Sequence, residues 1–110
     1  AAVVVGSAET AKLLLASDLG RRWTLDDIAS EVGGSAVYLT QAFRQVEGMP
    51  LYRYQLRLRL ARALDLLEGD IDLSSLAQDL GFSSHSHFAA AFRQAYGRTP
   101  SEFRDAATHR

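Results

Sequence analysis

Apolar residues recur along most of this chain every three or four positions, which is the period of a helix with one buried face. Leu25, Ile28, Ala29 and Val32 show the pattern directly. Alanine, leucine, glutamine and arginine are frequent, and these residues favour helix. Glycine and proline separate one apolar stripe from the next. The pattern predicts an all-α chain of about seven short helices.

The ends of these helices are predicted from capping residues. The first helix is expected from about Ala8 to Leu19, with Ser7 as its N-cap and Gly20 as its stop. Two further helix starts resemble capping boxes, in which two side chains bond each other's backbone N–H groups. These are Thr24 with Asp27, and Thr99 with Glu102, the latter with Pro100 between them.

The segment Tyr52–Leu60 alternates polar and apolar residues, which is the period of a strand. We nevertheless predict a helix there, over about 50–68. The segment has no β-branched residue, exceeds a typical strand in length, and begins after Pro50, a residue suited to the first helical position.

An internal repeat is the most informative feature of the sequence. Leu25-x-x-Ile28-Ala29-x-x-Val32-Gly33 matches Leu73-x-x-Leu76-Ala77-x-x-Leu80-Gly81 at an offset of 48 positions, and Phe43-Arg44-Gln45-x-x-Gly48 matches Phe92-Arg93-Gln94-x-x-Gly97 at an offset of 49. The extra residue is expected in or beside the turn, because an insertion inside a helix would rotate its apolar stripe by about 100°. Each repeat therefore predicts two helices joined by a glycine turn, which is the helix-turn-helix arrangement.

These patterns divide the chain into segments. We predict a single DNA-binding domain over 1–110, with a first helix-turn-helix unit at about 24–48, a linker helix at about 50–68, a second unit at about 72–97 and a C-terminal helix at about 100–107. In such units the second helix fits a major groove, where each base pair presents a distinct set of donors and acceptors.

From about Trp23 to Arg104 the sequence resembles the AraC/XylS family of bacterial transcription regulators. The resemblance is carried by three stretches: Trp23 to Ala29; Leu58-Arg59-Leu60-Ala61-Arg62-Ala63-x-x-Leu66-Leu67; and Ile71 to Arg104, with Leu80-Gly81-Phe82, Phe88-x-x-x-Phe92-Arg93 and Gly97-x-Thr99-Pro100-x-x-Phe103-Arg104. It implies two homeodomain-like units in tandem, held at a fixed spacing by the linker helix, with their second helices in successive major-groove segments. It also implies a separate effector-binding or dimerisation domain N-terminal to this one. The start at Ala1 fits that expectation of a fragment.

The residues predicted to touch DNA lie on the non-core faces of the two reading helices. Base contacts are expected from Ala36, Val37, Thr40, Gln41, Arg44, His85, Ser86, Ala89 and Ala90, and phosphate contacts from Arg53, Arg57, Arg93 and Arg98. Many members of the family resembled carry a polar or basic residue where this chain has Ala90. Since alanine cannot hydrogen-bond a base, the second unit is expected to contact few bases specifically or to bind chiefly phosphates.

Composition leaves an alternative open. The chain carries 12 basic and 13 acidic residues, for a net charge of −1, whereas nucleic-acid binders are usually basic. The alternative is a helical protein–protein interaction module. Salt separates the two hypotheses, because contacts to phosphates weaken steeply as salt rises.

Other classes of site find no support in the sequence. There is no cysteine, and His85 and His87 diverge on a helix, so neither a metal nor another cofactor is expected. His87 is expected to be partly buried. Trp23 is interpreted as a core anchor, like Phe43, Phe82, Phe88, Phe92 and Phe103. No set of residues suggests an enzyme.

The partners expected are double-stranded DNA and, for an activator, RNA polymerase. No apolar run approaches the about 20 residues that span a bilayer, so no membrane contact is expected. The expected location is the cytoplasm, at the bacterial nucleoid.

Overall fold

The computed structural model describes residues 2–108, and every regular element in that range is a helix. The elements are α1 (Ala2–Ser17), α2 (Leu25–Val32), α3 (Ala36–Glu47), α4 (Leu51–Leu66), α5 (Leu73–Asp79), α6 (His85–Tyr96) and α7 (Pro100–Thr108). The predicted all-α class with about seven helices is confirmed. The segment with strand-like alternation lies in α4, so its prediction as helix is also confirmed. Between Arg57 and Leu58, within α4, the chain divides into two compact units, and each contains one of the two helix-turn-helix pairs. These are called the first and the second unit below.

The first unit is built around a small apolar core. Helices α1, α2 and α3 pack against one another, and Leu15, Ile28 and Phe43 have no exposed surface. The Phe43 ring also meets Tyr54 of α4 edge to face, with centroids 5.4 Å apart. At the edge of the core, Lys12 Nζ of α1 forms an ion pair with Glu47 Oε1 of α3, 2.8 Å away. Hydrogen bonding to Glu47, and then to Glu9, raises the pKa of Lys12.

The second unit has an aromatic core. Phe88 and Phe92 of α6 are fully buried, and the Phe92 ring lies 4.8 Å from Tyr96 and 5.8 Å from Phe103 of α7, centroid to centroid. The chain entering α5 is fixed from α7, because Arg104 Nη2 donates to the Ile71 carbonyl over 2.6 Å. Aromatic pairs of this kind stabilise a core beyond the area they bury.

The prediction for the first helix was wrong at both ends. Helix α1 begins well before Ala8 and ends at Ser17, before Leu19. Ser7 is not its N-cap. Ser7 lies inside the helix on the buried face, in line with Ala8, Ala11 and Leu15. Small side chains on that face let α1 approach its neighbours, so packing decides where the helix lies.

Several residues predicted as core are less buried than expected. Leu25 is 43% exposed, and Trp23 and Phe103 are only half-buried. Leu25 stands at one end of an apolar stripe, where the helix surface has turned away from the core. The other aromatic residues interpreted as core anchors, those on α3, on α6 and in the turn before α6, are buried.

The two glycine turns have the predicted backbone. Gly33 has φ 92° and Gly81 has φ 88°, in the left-handed region that other residues resist. In each unit the residue after this glycine donates its backbone N–H to the alanine carbonyl five positions earlier, Gly34 to Ala29 and Phe82 to Ala77. The extra residue of the second repeat lies after this bond and before the Ser84 N-cap, so it is absorbed in the turn as predicted.

Both predicted capping boxes are present. The Thr24 hydroxyl accepts from the Asp27 N–H and Asp27 accepts from the Thr24 N–H, and Thr99 and Glu102 make the same pair of bonds over 3.2 and 2.9 Å. The hydrogen bond from the Thr99 N–H is the main reason that the pKa of Glu102 lies below its ordinary value of 4.5.

The lowered pKa of Glu102 predicts a specific loss of stability in acid. A carboxyl whose pKa is lower in the folded state stabilises the fold above its ordinary pKa, and that stability is lost as the pH falls through the folded value. The melting temperature should therefore begin to fall below about pH 4.5, where Glu102→Gln should fall less. Glutamine keeps the capping geometry but does not titrate. Thermal melts from pH 7 to pH 3 test this, with exposed Asp105→Asn on the same helix as the matched charge control. Equal acid sensitivity of wild type and Glu102→Gln would contradict it.

Candidate nucleic-acid interface

Helix α3 presents a continuous exposed stripe. Ser35 is its N-cap, and the Ser35 hydroxyl accepts a 3.1 Å hydrogen bond from the Tyr38 N–H. The turn that joins α2 to α3 therefore ends at Ser35. Val37, Thr40, Gln41 and Arg44 follow at the spacing that places side chains on one helix face, and all four are exposed. Ala36 is half-buried beside this stripe. The face opposite carries the buried residues Leu39, Ala42 and Phe43.

Within this stripe the hydroxyl of Thr40 has only part of its hydrogen-bonding capacity left. Thr40 Oγ1 donates to the Ala36 carbonyl over 2.9 Å. Its lone pairs can still accept, and its methyl group is free to touch a thymine methyl. Gln41 carries both a donor and an acceptor, the pair that matches the adenine edge. The centre of the α3 stripe can therefore discriminate bases chemically.

Helix α6 repeats the same geometry with different chemistry. At an offset of 49 from the α3 stripe stand Ser86, Ala89, Ala90 and Arg93, all exposed except the half-buried Ala89. His85, at the position of Ala36, is exposed. The arginine at the end of the stripe is shared by both helices, but alanine replaces Thr40 and Gln41 at its centre. This face offers shape and an end charge, without donors or acceptors in the middle.

The expectation for His87 was wrong. Its side chain is exposed, although the ring stands edge to face on Phe82 with centroids 5.2 Å apart. Its Nδ1 lies 3.1 Å from Ser83 Oγ, and its backbone N–H donates to the Ser84 N-cap. His87 therefore closes the turn before α6 from outside.

The four arginines predicted to touch phosphates are exposed, but their surroundings differ. Arg53 and Arg57 are one turn apart on α4. Arg93 and Arg98 are close enough to Glu102 to help lower its pKa. Arg98 also lines a cavity of about 480 Å³ whose wall includes Asp65 and Glu68, so it stands among carboxylates. Two of the four phosphate candidates, Arg93 and Arg98, thus lie near carboxylates.

Sequence reasoning missed a group of residues beside the α3 stripe. Trp23, Tyr52 and Gln55 line a cavity in the first unit that Thr40 and Arg44 also line. The Trp23 ring is covered by Arg21, whose guanidinium carbon lies 3.6 Å from the ring centroid. The only sequence signal for this group was a tryptophan just before a helix start.

Two helical pairs, each with a left-handed glycine turn and an exposed stripe on its second helix, define a tandem helix-turn-helix protein. Residues 28–106, most of the chain, match the family of sequences described as "Helix-turn-helix domain". Together with the similarities that follow, this match shows that the chain belongs to the AraC/XylS family of DNA-binding domains.

The similar proteins are regulators. The chain is 37% identical over 81 residues to the regulatory protein PocR of Salmonella typhimurium, covering 73% of this chain and 27% of PocR. It thus spans about a quarter of that relative. Its fold matches a transcriptional regulator with an AraC-type DNA-binding domain from Chromobacterium violaceum, with TM-score 0.83, 33% identity and coverage of 90% and 89% of the two chains.

The same fold occurs in the DNA-binding domain of the global transcriptional factor AdpA, solved with a target DNA. That comparison has TM-score 0.84 and 24% identity, and covers 92% of this chain and 91% of the other. Among the described residues, no helix is both long and apolar enough to cross a membrane.

Proposed function

We propose that this chain binds specific sequences of double-stranded DNA as the DNA-binding domain of a transcription regulator, with binding and not catalysis as its role. The observation that carries the proposal is the pair of exposed stripes on α3 and α6, which stand in the same register after matching serine N-caps. A helix presented in this way fits a major groove. The AdpA domain, which shares the fold, was solved with a target DNA.

The two units have different roles in this proposal. Thr40 and Gln41 give α3 the chemistry to select bases, with Val37 available for a thymine methyl. Helix α6 enters its own major-groove segment with Ser86, Ala89 and Ala90 facing the bases. It contributes affinity more than selection, because the centre of its stripe cannot hydrogen-bond. Arg53, Arg57 and Arg93 supply phosphate contacts, and both units act as one domain.

Selection from a random duplex library tests the proposal. Duplexes of about 40 base pairs are selected at moderate salt, and affinity is then measured across salt concentrations. A sequence-specific binder should enrich a motif and lose affinity with a log–log slope of about −0.9 for each phosphate contacted. No enrichment, with no salt-sensitive binding to any duplex, would overturn the proposal. The hypothesis of a helical protein–protein interaction module would then be preferred.

Ala90→Arg should give α6 a base preference that the native chain lacks. Position 90 is the counterpart of Gln41 on the second stripe, and an arginine there can pair with guanine through two hydrogen bonds worth about 1–3 kcal/mol of discrimination. A repeat selection should therefore show a new guanine in the weaker half of the motif, with about tenfold tighter binding. Ala95→Arg adds the same charge to an exposed position on another face of α6. If both variants gain affinity equally and no guanine appears, the stripe of α6 does not face bases.

A transcription regulator has partners beyond its DNA site. The regulators that this chain resembles are longer, which is consistent with an effector-binding or dimerisation domain joined to this one. A regulator that activates must also contact RNA polymerase. Both partners, and a location at the bacterial nucleoid, follow from the proposed role.

A further inference from the structure

A cavity of about 410 Å³ opens in the first unit, between the start of α2, the middle of α3 and the start of α4. Leu25 and Leu51 supply part of its apolar wall. The polar part comes from Trp23, Thr40, Arg44, Tyr52 and Gln55. The cavity is therefore continuous with the α3 stripe, because Thr40 and Arg44 belong to both.

Two residues that line this cavity, Trp23 and Gln55, each carry a side-chain donor that has no acceptor. Trp23 Nε1 and Gln55 Nε2 are closed off from solvent and have no hydrogen-bond partner among the described residues. An indole N–H can only donate, so it forms a hydrogen bond only when another group supplies an acceptor. Buried donors are costly to leave unpaired, and two at one cavity indicate a ligand rich in acceptors.

The charge of the cavity indicates an anion. Arg44 places a guanidinium on its wall, and the cavity includes Pro50 and Leu51 at the start of α4, the end of a helix that favours negative charge. None of the described residues that line it is acidic. The cavity of the second unit differs, since Asp65 and Glu68 line it beside Arg98.

We propose that this cavity holds one backbone phosphate of the bound DNA, whose oxygens accept hydrogen bonds from the Arg44 guanidinium and, once the Trp23 and Gln55 side chains turn toward it, from Trp23 Nε1 and Gln55 Nε2. The inference rests on the proposed function, since a helix in the major groove lies between two rows of phosphates. It assigns Arg44 to the DNA backbone and not to a base. It also fixes the register of α3, because Gln41 lies three positions before Arg44, the residue that the phosphate anchors.

The single tryptophan of the chain makes the inference measurable. The full chain is titrated with its selected duplex while the emission of Trp23 is followed. The duplex is then prepared with a neutral methylphosphonate at each backbone position in turn. One position should weaken binding about tenfold and remove the change in tryptophan emission, whereas other positions leave the emission change in place.

Two variants connect that phosphate to the cavity. Trp23→Phe removes the indole donor, and Gln55→Met removes the amide donors while keeping the length of the side chain. Each should bind the unmodified duplex at least about tenfold more weakly, the effect of one lost hydrogen bond to a charged acceptor. Each should also lose most of its sensitivity to the critical methylphosphonate. Gln78→Met, at an exposed position of α5, is the matched control and should behave as wild type.

The outcomes separate this inference from the proposed function. If the wild type binds no duplex specifically, the proposed function fails. If it binds a selected motif but both variants match wild type at every methylphosphonate position, the cavity does not hold a phosphate and only this inference fails. Thermal melts of each variant identify a loss caused by unfolding. Gln55→Met decides the question if Trp23→Phe is unstable.

Discussion

Replacing Phe92 by alanine should unfold the second unit under conditions in which the native chain is folded. Phe92 has no exposed surface, and its ring contacts those of Phe88, Tyr96 and Phe103. Removing a buried phenylalanine ring costs about 3–5 kcal/mol. Domains of this size are stable by only about 5–15 kcal/mol. Urea unfolding followed by far-ultraviolet circular dichroism should show an earlier transition and, at 37 °C, a loss of helical signal.

An exposed aromatic residue provides the control. Tyr52 is 67% exposed, so Tyr52→Ala should change the free energy of unfolding by less than about 0.5 kcal/mol. A Phe92→Ala protein with the same urea midpoint as Tyr52→Ala would show that the aromatic cluster does not hold the second unit together.

The double substitution Thr40→Ala with Gln41→Ala should abolish most base selection while leaving the fold intact. Both side chains are exposed on α3, so the melting temperature should change little. A good two-bond contact to a base is worth about 1–3 kcal/mol. The ratio of specific to non-specific affinity should therefore fall by about a hundredfold. Competition between the selected duplex and a scrambled duplex measures this ratio at fixed salt.

The matched control removes similar groups from the first helix of the second unit. Ser74 and Gln78 are exposed on α5, and Ser74→Ala with Gln78→Ala should leave the specificity ratio unchanged. Non-specific affinity should be the same in all three proteins, because no charge is altered. Retention of full specificity by the α3 variant would place base reading elsewhere.

Local signals in the sequence predicted most of the fold. The capping pairs Thr24–Asp27 and Thr99–Glu102 act within one helical turn, so their residue types alone indicate where α2 and α7 begin. The glycines after α2 and α5 are equally local, since the left-handed backbone is a property of a single residue. The internal repeat then identified the second helix of each pair.

Most of the misses involve contacts between residues distant in sequence. Ser7 has the composition of a cap, but packing of α1 on its neighbours places it in the helix interior. Trp23 and Gln55 are 32 positions apart, and nothing in either residue's neighbourhood predicts that they line one cavity. His87 was expected to be partly buried, but the turn holds it outside through Ser83. Predicting the stripe on α3 required only helical periodicity. Finding the cavity beside it required the packed structure of the first unit.

The matched ends of α3 and α6 make the reading helix an exchangeable cassette. Each cassette runs from a serine N-cap to a left-handed glycine, Ser35 to Gly48 and Ser84 to Gly97, and the two are equal in length. Their core-facing positions agree in Ala42 with Ala91 and in Phe43 with Phe92, and differ in Leu39 against Phe88. The extra residue of the second repeat lies outside both cassettes. Half-buried Tyr38 and Val46 of α3 also stand against exposed His87 and Ala95 of α6. New sequence preferences could therefore be installed in either unit by transplanting the exposed stripe and keeping these inward-facing residues native to their host.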